Sequence, residues 1–268
     1  MKKHIFLFLL SIVTISTCAD KSLIRTGDSV EVAFNKAKKQ FDNKKYTDAS
    51  RSFETVVSIA RGTNYSADAQ FYLAESYFNS KDFLMAASEF ERYMNYYPRD
   101  ERRELVQFRE ALCYYELSPR YKLDQSETLK ALELFQLFNL RYPTSDFTTE
   151  SGDKINQLRD KLAHKMFDSG LFYLRIREYN AAAVYFGQVV NEYPDTIWSD
   201  QALAKQLVAF ELYADNSVPE KKEERYRKAT NSYQKFIQLF PESNLRKDVE
   251  STHDAILKKL ADLTKSSS

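Results

Sequence analysis

The sequence contains few of the residues that build disulfide frameworks or catalytic centres. It has two cysteines, three histidines and one tryptophan among 268 residues. Cys18 lies near the N terminus and Cys113 lies in an apolar helical pattern, so no disulfide framework is expected and Cys113 is interpreted as a buried thiol. The histidines show no His-Glu-x-x-His spacing, and no glycine-rich phosphate loop occurs. We therefore expect no metal site, no cofactor and no enzymatic activity.

Glycine and proline are also scarce, with five and six residues respectively. So few helix breakers, together with abundant Ala, Leu, Lys and Glu, indicate helices joined by short turns. Charge of one sign is not in excess either, since 39 basic and 38 acidic residues nearly cancel. Such a balance gives no general attraction for nucleic acid, and a nucleic-acid partner is not expected.

Long hydrophobic runs are absent apart from one at the N terminus, which is too short to span a bilayer. Eleven residues from Ile5 to Ile15 follow Lys2 and Lys3. At about 1.5 Å per residue they cover roughly half of a ~30 Å hydrocarbon core. A short apolar run behind lysines and before small residues is typical of a secretory signal, and we interpret residues 1–17 as a signal peptide.

The residues from Ile15 to Cys18 resemble a bacterial lipobox, although Thr17 stands where Gly, Ala or Ser is usual. The resemblance implies cleavage before Cys18 and acylation of this cysteine, and several acyl chains hold a protein on a membrane. Because Ala19 is not the aspartate that usually retains lipoproteins in an inner membrane, we expect an outer-membrane anchor on the periplasmic face, followed by a linker over 18–28. The alternative is an ordinary signal peptide that happens to contain a cysteine.

Five segments repeat one pattern, in which an aromatic residue is followed by alanine after three positions and by a second aromatic residue four positions later. The segments begin at Tyr46, Phe83, Thr128, Tyr179 and Tyr226, with threonine replacing the first ring in the third. In the last four segments, proline follows the second aromatic residue by eight positions. Proline ends a helix because it cannot donate the next hydrogen bond. Each segment is therefore predicted to be the second helix of a hairpin.

In three units a small residue precedes the motif alanine by twelve positions. The pairs are Ala37 and Ala49, Ala74 and Ala86, and Gly170 and Ala182. This is the spacing of the tetratricopeptide repeat, in which two small residues mark the point where the helices of a hairpin cross. In the third and fifth units the interval is twenty, and we interpret the additions, which contain Pro119 and Pro219, as longer loops inside the hairpin.

These patterns predict an all-α fold, an α-solenoid of about five tetratricopeptide-like helix hairpins followed by a C-terminal helix. A single repeat domain is expected over 29–265. The repeats are expected at about 29–62, 66–98, 100–143, 153–194 and 199–241, with the C-terminal helix at about 244–264. The first helix of the fourth repeat, about 153–177, should project beyond the others.

Stacked hairpins place their first helices along one concave wall. At two positions of these helices, seven residues apart and so nearly in line on one face, the first three units carry aromatic rings. The rings are Phe34 and Phe41, Phe71 and Phe78, and Phe108 and Tyr115. We predict that they line a peptide-binding groove. The alternative is that they are covered, because aromatic residues at helical spacing usually belong to a core.

The repeated motif with its Tyr-Pro ending, as in "FLMAASEFERYMNYYP" and "YNAAAVYFGQVVNEYP", combined with the lipobox, resembles the BamD family of outer-membrane β-barrel assembly lipoproteins. The resemblance implies a scaffold that binds a BamA-like insertase through its POTRA domains, other assembly lipoproteins, and unfolded β-barrel proteins through their C-terminal strand. It also implies that the N-terminal repeats face the substrate, which assigns Phe34, Phe41, Phe71 and Phe78 to substrate first.

Two other functions stay open at this point. A periplasmic tetratricopeptide lipoprotein that scaffolds envelope or peptidoglycan enzymes would need the same anchor and the same repeats. A lipoprotein that holds a glycan beside an outer-membrane transporter would be expected to stack sugars on exposed tryptophan, and Trp198 is the only tryptophan in the chain.

Overall fold

The computed structural model describes residues 23–266, and the part described contains eleven α-helices and no strand, which confirms the all-α expectation. The helices are α1 (Val30–Asp42), α2 (Tyr46–Ile59), α3 (Ser66–Asn79), α4 (Phe83–Tyr96), α5 (Arg103–Leu117), α6 (Ser126–Arg141), α7 (Thr148–Arg175), α8 (Tyr179–Glu192), α9 (Ser199–Asp215), α10 (Pro219–Leu239) and α11 (Arg246–Ser266). None of these helices has the length and apolar character that crossing a membrane requires. The predicted signal peptide and Cys18 lie outside the described residues.

The described residues divide into two compact units, unit 1 (residues 23–80) and unit 2 (residues 81–266). In unit 1, α1 packs against α2 and α2 packs against α3. In unit 2, each helix from α4 to α10 packs against the next one, and α11 packs against both α10 and α9. This packing of consecutive helices is the arrangement of helical repeats, in which each hairpin buries its apolar face mainly against its neighbours.

The small residues predicted at the helix crossings are buried without exception. The alanines among them have no exposed surface: Ala37, Ala49, Ala74, Ala86, Ala111, Ala131, Ala182, Ala209 and Ala229. In the fourth repeat, a Cβ atom added to Gly170 would lie 2.6 Å from Cε1 of Phe186. Helices α7 and α8 therefore approach more closely at this point than an alanine would allow without a shift.

The hairpins end where the prolines predict. Helices α4, α6, α8 and α10 each stop just before the aromatic residue that precedes a proline. These four residues have φ between −121° and −132° and ψ between 53° and 62°: Tyr97, Tyr142, Tyr193 and Phe240. The residue before a proline is disfavoured in the α conformation, so each helix end is determined locally by the sequence.

Of the two predicted long loops, one is present and the other is wrong. Residues 118–125 connect α5 to α6 without helical structure. Around Pro219 the added residues are helical, because α10 begins at this proline and continues for 21 residues. Proline is favourable at the first helical position, where its missing N–H would have no helical partner. Ion pairs of Arg227 with Glu223 and of Lys228 with Glu224 support the first turns of α10.

Helix α7 has 28 residues and begins at Thr148, before the predicted start near residue 153. Gly152 therefore lies inside the helix, where glycine costs about 1 kcal/mol relative to alanine. Packing of the first turn compensates for this cost. Ser151 is fully buried and donates a hydrogen bond to the carbonyl oxygen of Phe135 at 3.4 Å, and Phe147 stacks on Phe108 with 4.7 Å between ring centroids.

Candidate functional site

Phe34, the first residue of the predicted groove, belongs to the core of unit 1. Its side chain is 8% exposed, and its ring centroid lies 5.8 Å from that of Phe53, 5.2 Å from that of Tyr65 and 6.1 Å from that of Tyr72. Tyr65 and Tyr72 belong to the next hairpin, so the neighbouring unit of the repeat covers this ring. The expectation that Phe34 lines an open groove is therefore corrected, and its ring stabilises the packing of α1 against α2 and α3.

Phe41 lies near the C-terminal end of α1 and is half-buried. Its ring meets Tyr46 edge-on at 5.4 Å and Tyr72 edge-on at 5.2 Å. Tyr72 in turn stacks on Phe53 at 5.6 Å. Phe41 thus belongs to the same aromatic cluster and keeps part of its side chain accessible.

Phe71 and Phe78 of α3 are half-buried as well. Phe71 meets Tyr72 edge-on, with 5.5 Å between centroids. Between them, Tyr77 points in another direction, since it is buried and its hydroxyl donates a hydrogen bond to the carboxylate of Glu54. The two phenylalanines, seven residues apart, therefore retain accessible ring surface in unit 1.

The third predicted pair lies in unit 2, and, as in the first pair, one ring is buried and the other is half-buried. Phe108 is 3% exposed and packs against Phe135 at 5.9 Å, Phe138 at 5.5 Å and Phe147 at 4.7 Å, so it too is a core residue and not part of an open groove. Tyr115 is half-buried, and Nζ of Lys154 lies 4.1 Å from its ring centroid.

Sequence reasoning missed a cleft of about 890 Å³ in unit 2, formed by the loop 118–125, helix α7 and the turn before α9. Its centre is a stack of three rings. Tyr121 of the loop lies on His164 of α7 with 3.7 Å between centroids, and His164 lies on Trp198 with 3.9 Å, all within 20° of parallel. Burial of His164 lowers the pKa of its imidazole. The ring is consequently neutral near pH 7, which suits a position between two aromatic faces.

The loop 118–125 is fastened to α7 by two lysines. Nζ of Lys161 donates a hydrogen bond to Oγ of Ser118 at 2.7 Å, and Nζ of Lys165 donates one to the carbonyl oxygen of Leu123 at 2.6 Å. Thr128, which replaces the motif aromatic residue, is fully buried, and its hydroxyl lies 2.6 Å from that of Ser118. The departure from the motif at Thr128 was the sequence signal for this polar attachment.

The side chain of Gln125 stabilises the loop 118–125 through hydrogen bonds to the backbone of the loop. This side chain is buried, and Nε2 donates hydrogen bonds to the carbonyl oxygens of Arg120 and Leu123, both at 3.0 Å. Its Oε1 accepts a hydrogen bond from Thr128 at 2.8 Å. The loop therefore has a defined course although it contains no helix.

An ionisable cluster elsewhere in unit 2 connects α11 to α9. Lys259 of α11 donates hydrogen bonds to Asp215 and Glu211 of α9, both at 2.8 Å. Burial opposes ionisation of Asp215, but the hydrogen bonds from Lys259 and Tyr226 outweigh this effect and hold the pKa of Asp215 below its usual value. Burial, with a smaller contribution from the same hydrogen bond to Asp215, raises the pKa of Tyr226 to about 12.

One carboxylate of unit 2 is different, because the charge of Lys130 only partly offsets its burial. Burial first, and the charge of Glu91 second, raise the pKa of Glu110 on α5 to about 7. Cys113, on the same helix, is fully buried. Among residues 23–266, no group of three or more His, Cys, Asp or Glu side chains is arranged to hold a metal ion.

A family profile described as "YfiO: Outer membrane lipoprotein" matches residues 27–225. The chain belongs to this family. The YfiO match extends from just before α1 into α10, so it includes the aromatic cluster of unit 1, the loop 118–125 and all three rings of the stack in unit 2.

Curated relatives of this YfiO family chain are named outer membrane protein assembly factor BamD. The relative from Rickettsia prowazekii (strain Madrid E) is 27% identical over 169 residues, which are 63% of this chain and 67% of the relative. The relative from Caulobacter vibrioides (strain ATCC 19089 / CIP 103742 / CB 15) is 22% identical over 201 residues, 74% of this chain and 66% of the relative. The matches thus span about two thirds of the length of these two relatives.

A solved structure of a TPR repeats protein from Bacteroides fragilis NCTC 9343 is also similar to this YfiO family chain. The TM-score is 0.47 at 13% sequence identity, and the alignment covers 86% of this chain and 99% of that chain.

Proposed function

We propose that the chain is a lipid-anchored, non-catalytic scaffold subunit of the outer-membrane β-barrel assembly machinery. The observation that carries the proposal is the family match over residues 27–225, which includes helices of both units. Relatives that bear the name of an outer membrane protein assembly factor support the assignment to barrel assembly. The scaffold would hold a BamA-like insertase through its POTRA domains, contact other assembly lipoproteins, and receive unfolded barrel proteins.

In this proposal the membrane attachment is acylated Cys18, on the periplasmic face of the outer membrane. Helix α1 begins at Val30. The carbonyl oxygen of Leu23 accepts a hydrogen bond from Nζ of Lys36 on α1 at 3.1 Å, so the segment before Leu23 sets the reach. Because an extended chain spans at most about 3.3–3.6 Å per residue, the chain from Cys18 to Leu23 would allow unit 1 to lie at most roughly 18 Å from the anchor. Two or three acyl chains suffice for stable attachment without a spanning helix.

The substrate contact would be made by the half-buried rings of unit 1, namely Phe41, Phe71 and Phe78. The last strand of a barrel alternates large apolar and polar side chains, so its apolar side chains can bind to successive accessible rings. The ring of Phe41 packs against Tyr46 and Tyr72. Because this packing already restricts the Phe41 side chain, binding would remove little conformational entropy from it. Phe34 is not included, because its ring is covered by the next hairpin.

Recovery of partners from the membrane tests the proposal as a whole. A tagged full-length chain is purified from gently solubilised outer membrane, and the proteins that accompany it are identified by mass spectrometry. We expect a BamA-like insertase at near-stoichiometric yield. Recovery of peptidoglycan or envelope enzymes without any barrel insertase would refute the proposal in favour of an envelope scaffold.

Peptide binding tests the substrate contact separately. Phe41→Ala combined with Phe78→Ala should weaken binding of a peptide copied from a barrel's last strand by several hundredfold, since each anchoring ring is worth ~2 kcal/mol. Ile59→Ala, which shortens an exposed apolar side chain on α2, is the matched control and should leave the affinity unchanged. Equal affinities for the double variant and the control would remove these rings from the mechanism.

A further inference from the structure

The cleft of unit 2 offers two kinds of surface to a partner, and the first is apolar. Leu123 of the loop is 58% exposed, and Ile197, in the turn before α9, is 68% exposed. The half-buried rings of Tyr121 and Trp198 line the same cleft. Exposed apolar side chains around a concave site favour a binding function over a merely solvated surface.

The second kind of surface is basic. Arg120, Lys122 and Lys161 line the cleft, against the single carboxylate of Asp160. Throughout residues 23–266, none of these three basic groups forms an ion pair with an acidic side chain. Burial also lowers the pKa of Lys161, so an added negative charge nearby would stabilise its protonated form. The cleft is thus complementary to a ligand that carries carboxylates beside large apolar groups.

The ring stack restricts the shape of that ligand. Tyr121 and Trp198 cover the two faces of His164, and each of them uses one of its own faces to do so. Phe167 lies beside Trp198, with 5.4 Å between centroids. These ring faces are occupied by each other, which disfavours a planar ligand or a sugar stacked between them. The rings are half-buried, whereas the aliphatic side chains of Leu123 and Ile197 are exposed, and this surface suits the side chains of a peptide.

We propose that this cleft binds a segment of a partner protein in which acidic residues alternate with large apolar side chains. The apolar side chains would occupy the surface between Leu123 and Ile197, and the carboxylates would pair with Arg120 and Lys122 at the rim. This site is separate from the phenylalanines of unit 1 and does not rest on the function proposed above. Because the loop is already fastened to α7, binding would require little ordering of the cleft.

The test uses a fluorescently labelled peptide, acetylated and amidated at its ends, in which aspartate alternates with leucine and phenylalanine. Its affinity for the full chain is measured by fluorescence anisotropy. We expect the double variants Arg120→Glu with Lys122→Glu, and Leu123→Ser with Ile197→Ser, each to weaken binding about tenfold or more. The first double variant should also remove most of the salt dependence of binding.

Two matched controls lie elsewhere in unit 2. Lys247→Glu reverses an exposed charge on α11, and Leu140→Ser replaces an apolar side chain on α6 that is 80% exposed. Both should bind the peptide as the unaltered chain does, and a peptide with asparagine in place of aspartate should bind about tenfold more weakly. Absence of binding to the unaltered chain, or equal affinities for the cleft variants and the controls, would overturn the proposal. So would binding to phosphatidylglycerol vesicles that depends on the same residues while the peptide does not bind.

Discussion

Gly170→Ala should change stability in two opposite ways, by a gain in helix propensity and by a steric clash with the ring of Phe186. In a helix interior, alanine is favoured over glycine by about 1 kcal/mol. The new Cβ atom would, however, lie 2.6, 2.8 and 3.0 Å from three atoms of the Phe186 ring. To restore an ordinary contact of 3.4 Å, the ring or helix α7 must move by about 0.8 Å at the closest atom.

This movement cannot be made freely, because Phe186 has no exposed surface and packs against Phe167 at 5.4 Å between centroids. Overpacking of a close-packed core costs ~1 to 3 kcal/mol. The clash therefore exceeds the gain in helix propensity, and we expect Gly170→Ala to lower the free energy of unfolding by about 1 kcal/mol. For a chain of this size, that corresponds to a Tm lower by about 2 to 4 °C.

Gly152→Ala is the matched control on the same helix. No atom lies within 4 Å of a Cβ added at this position, so only the propensity term remains and the variant should be more stable by about 0.5 to 1 kcal/mol. Both variants are compared by thermal melts followed by circular dichroism. If the Tm of Gly170→Ala equals or exceeds that of the unaltered chain, glycine is not required at this position for the close approach of α7 and α8. Phe186→Leu should cost less stability in the Gly170→Ala background than in the unaltered chain, because there it also removes the clashing ring edge.

Three further predictions concern other parts of the chain. Burial raises the pKa of Glu110 to about 7 from an ordinary 4.5, so the contribution of this group to stability is complete below pH 4.5 and is lost as the pH rises to 7. Glu110→Gln should therefore be more stable than the unaltered chain at pH 8, by about 1 to 2 kcal/mol in urea melts. No gain in stability at pH 8 would contradict the assigned burial. Gly187→Ala would place a Cβ atom 2.4 Å from Nε2 of Gln206, which donates a hydrogen bond to Ala183 at 2.9 Å. Loss of that bond between α8 and α9 costs about 1 kcal/mol or more and offsets the gain of about 1 kcal/mol in helix propensity, so Gly187→Ala should not share the added stability expected of Gly152→Ala; a variant more stable by about 1 kcal/mol would show that Gln206 finds another partner. Cys18→Ser should move the protein from the outer-membrane fraction to the soluble periplasm or leave the uncut precursor, and unchanged membrane fractionation would exclude acylation as the attachment.

The features that the sequence predicted correctly are those determined by neighbours close in the chain. A proline ends each of α4, α6, α8 and α10, and the motif alanines are buried because helical spacing alone places them on the packed face. The errors have local causes too. Pro219 lies in a predicted loop, yet proline is favourable at the first position of a helix and α10 begins there. The predicted start of α7 near residue 153 is too late, because Gly152 does not prevent a helix when its neighbours are packed.

The accessibility of the groove rings and the cleft could not be predicted in this way. Whether Phe34 is covered depends on Tyr65 and Tyr72 of the next hairpin, and helical spacing gives no information on what lies opposite a ring. The stack of Tyr121, His164 and Trp198 joins a loop, a helix and a turn that are far apart in the chain. The only signals of it were the inserted residues around Pro119 and the threonine in the third motif.

The attachment of the loop 118–125 has an evolutionary consequence. Lys165 and Gln125 bind it through the carbonyl oxygens of Leu123 and Arg120, which every amino acid provides. The side chains at these two positions can therefore be replaced by mutation while the path of the backbone is kept. A loop of this kind can acquire a new binding specificity one substitution at a time, on a scaffold whose stability does not depend on the side chains that change.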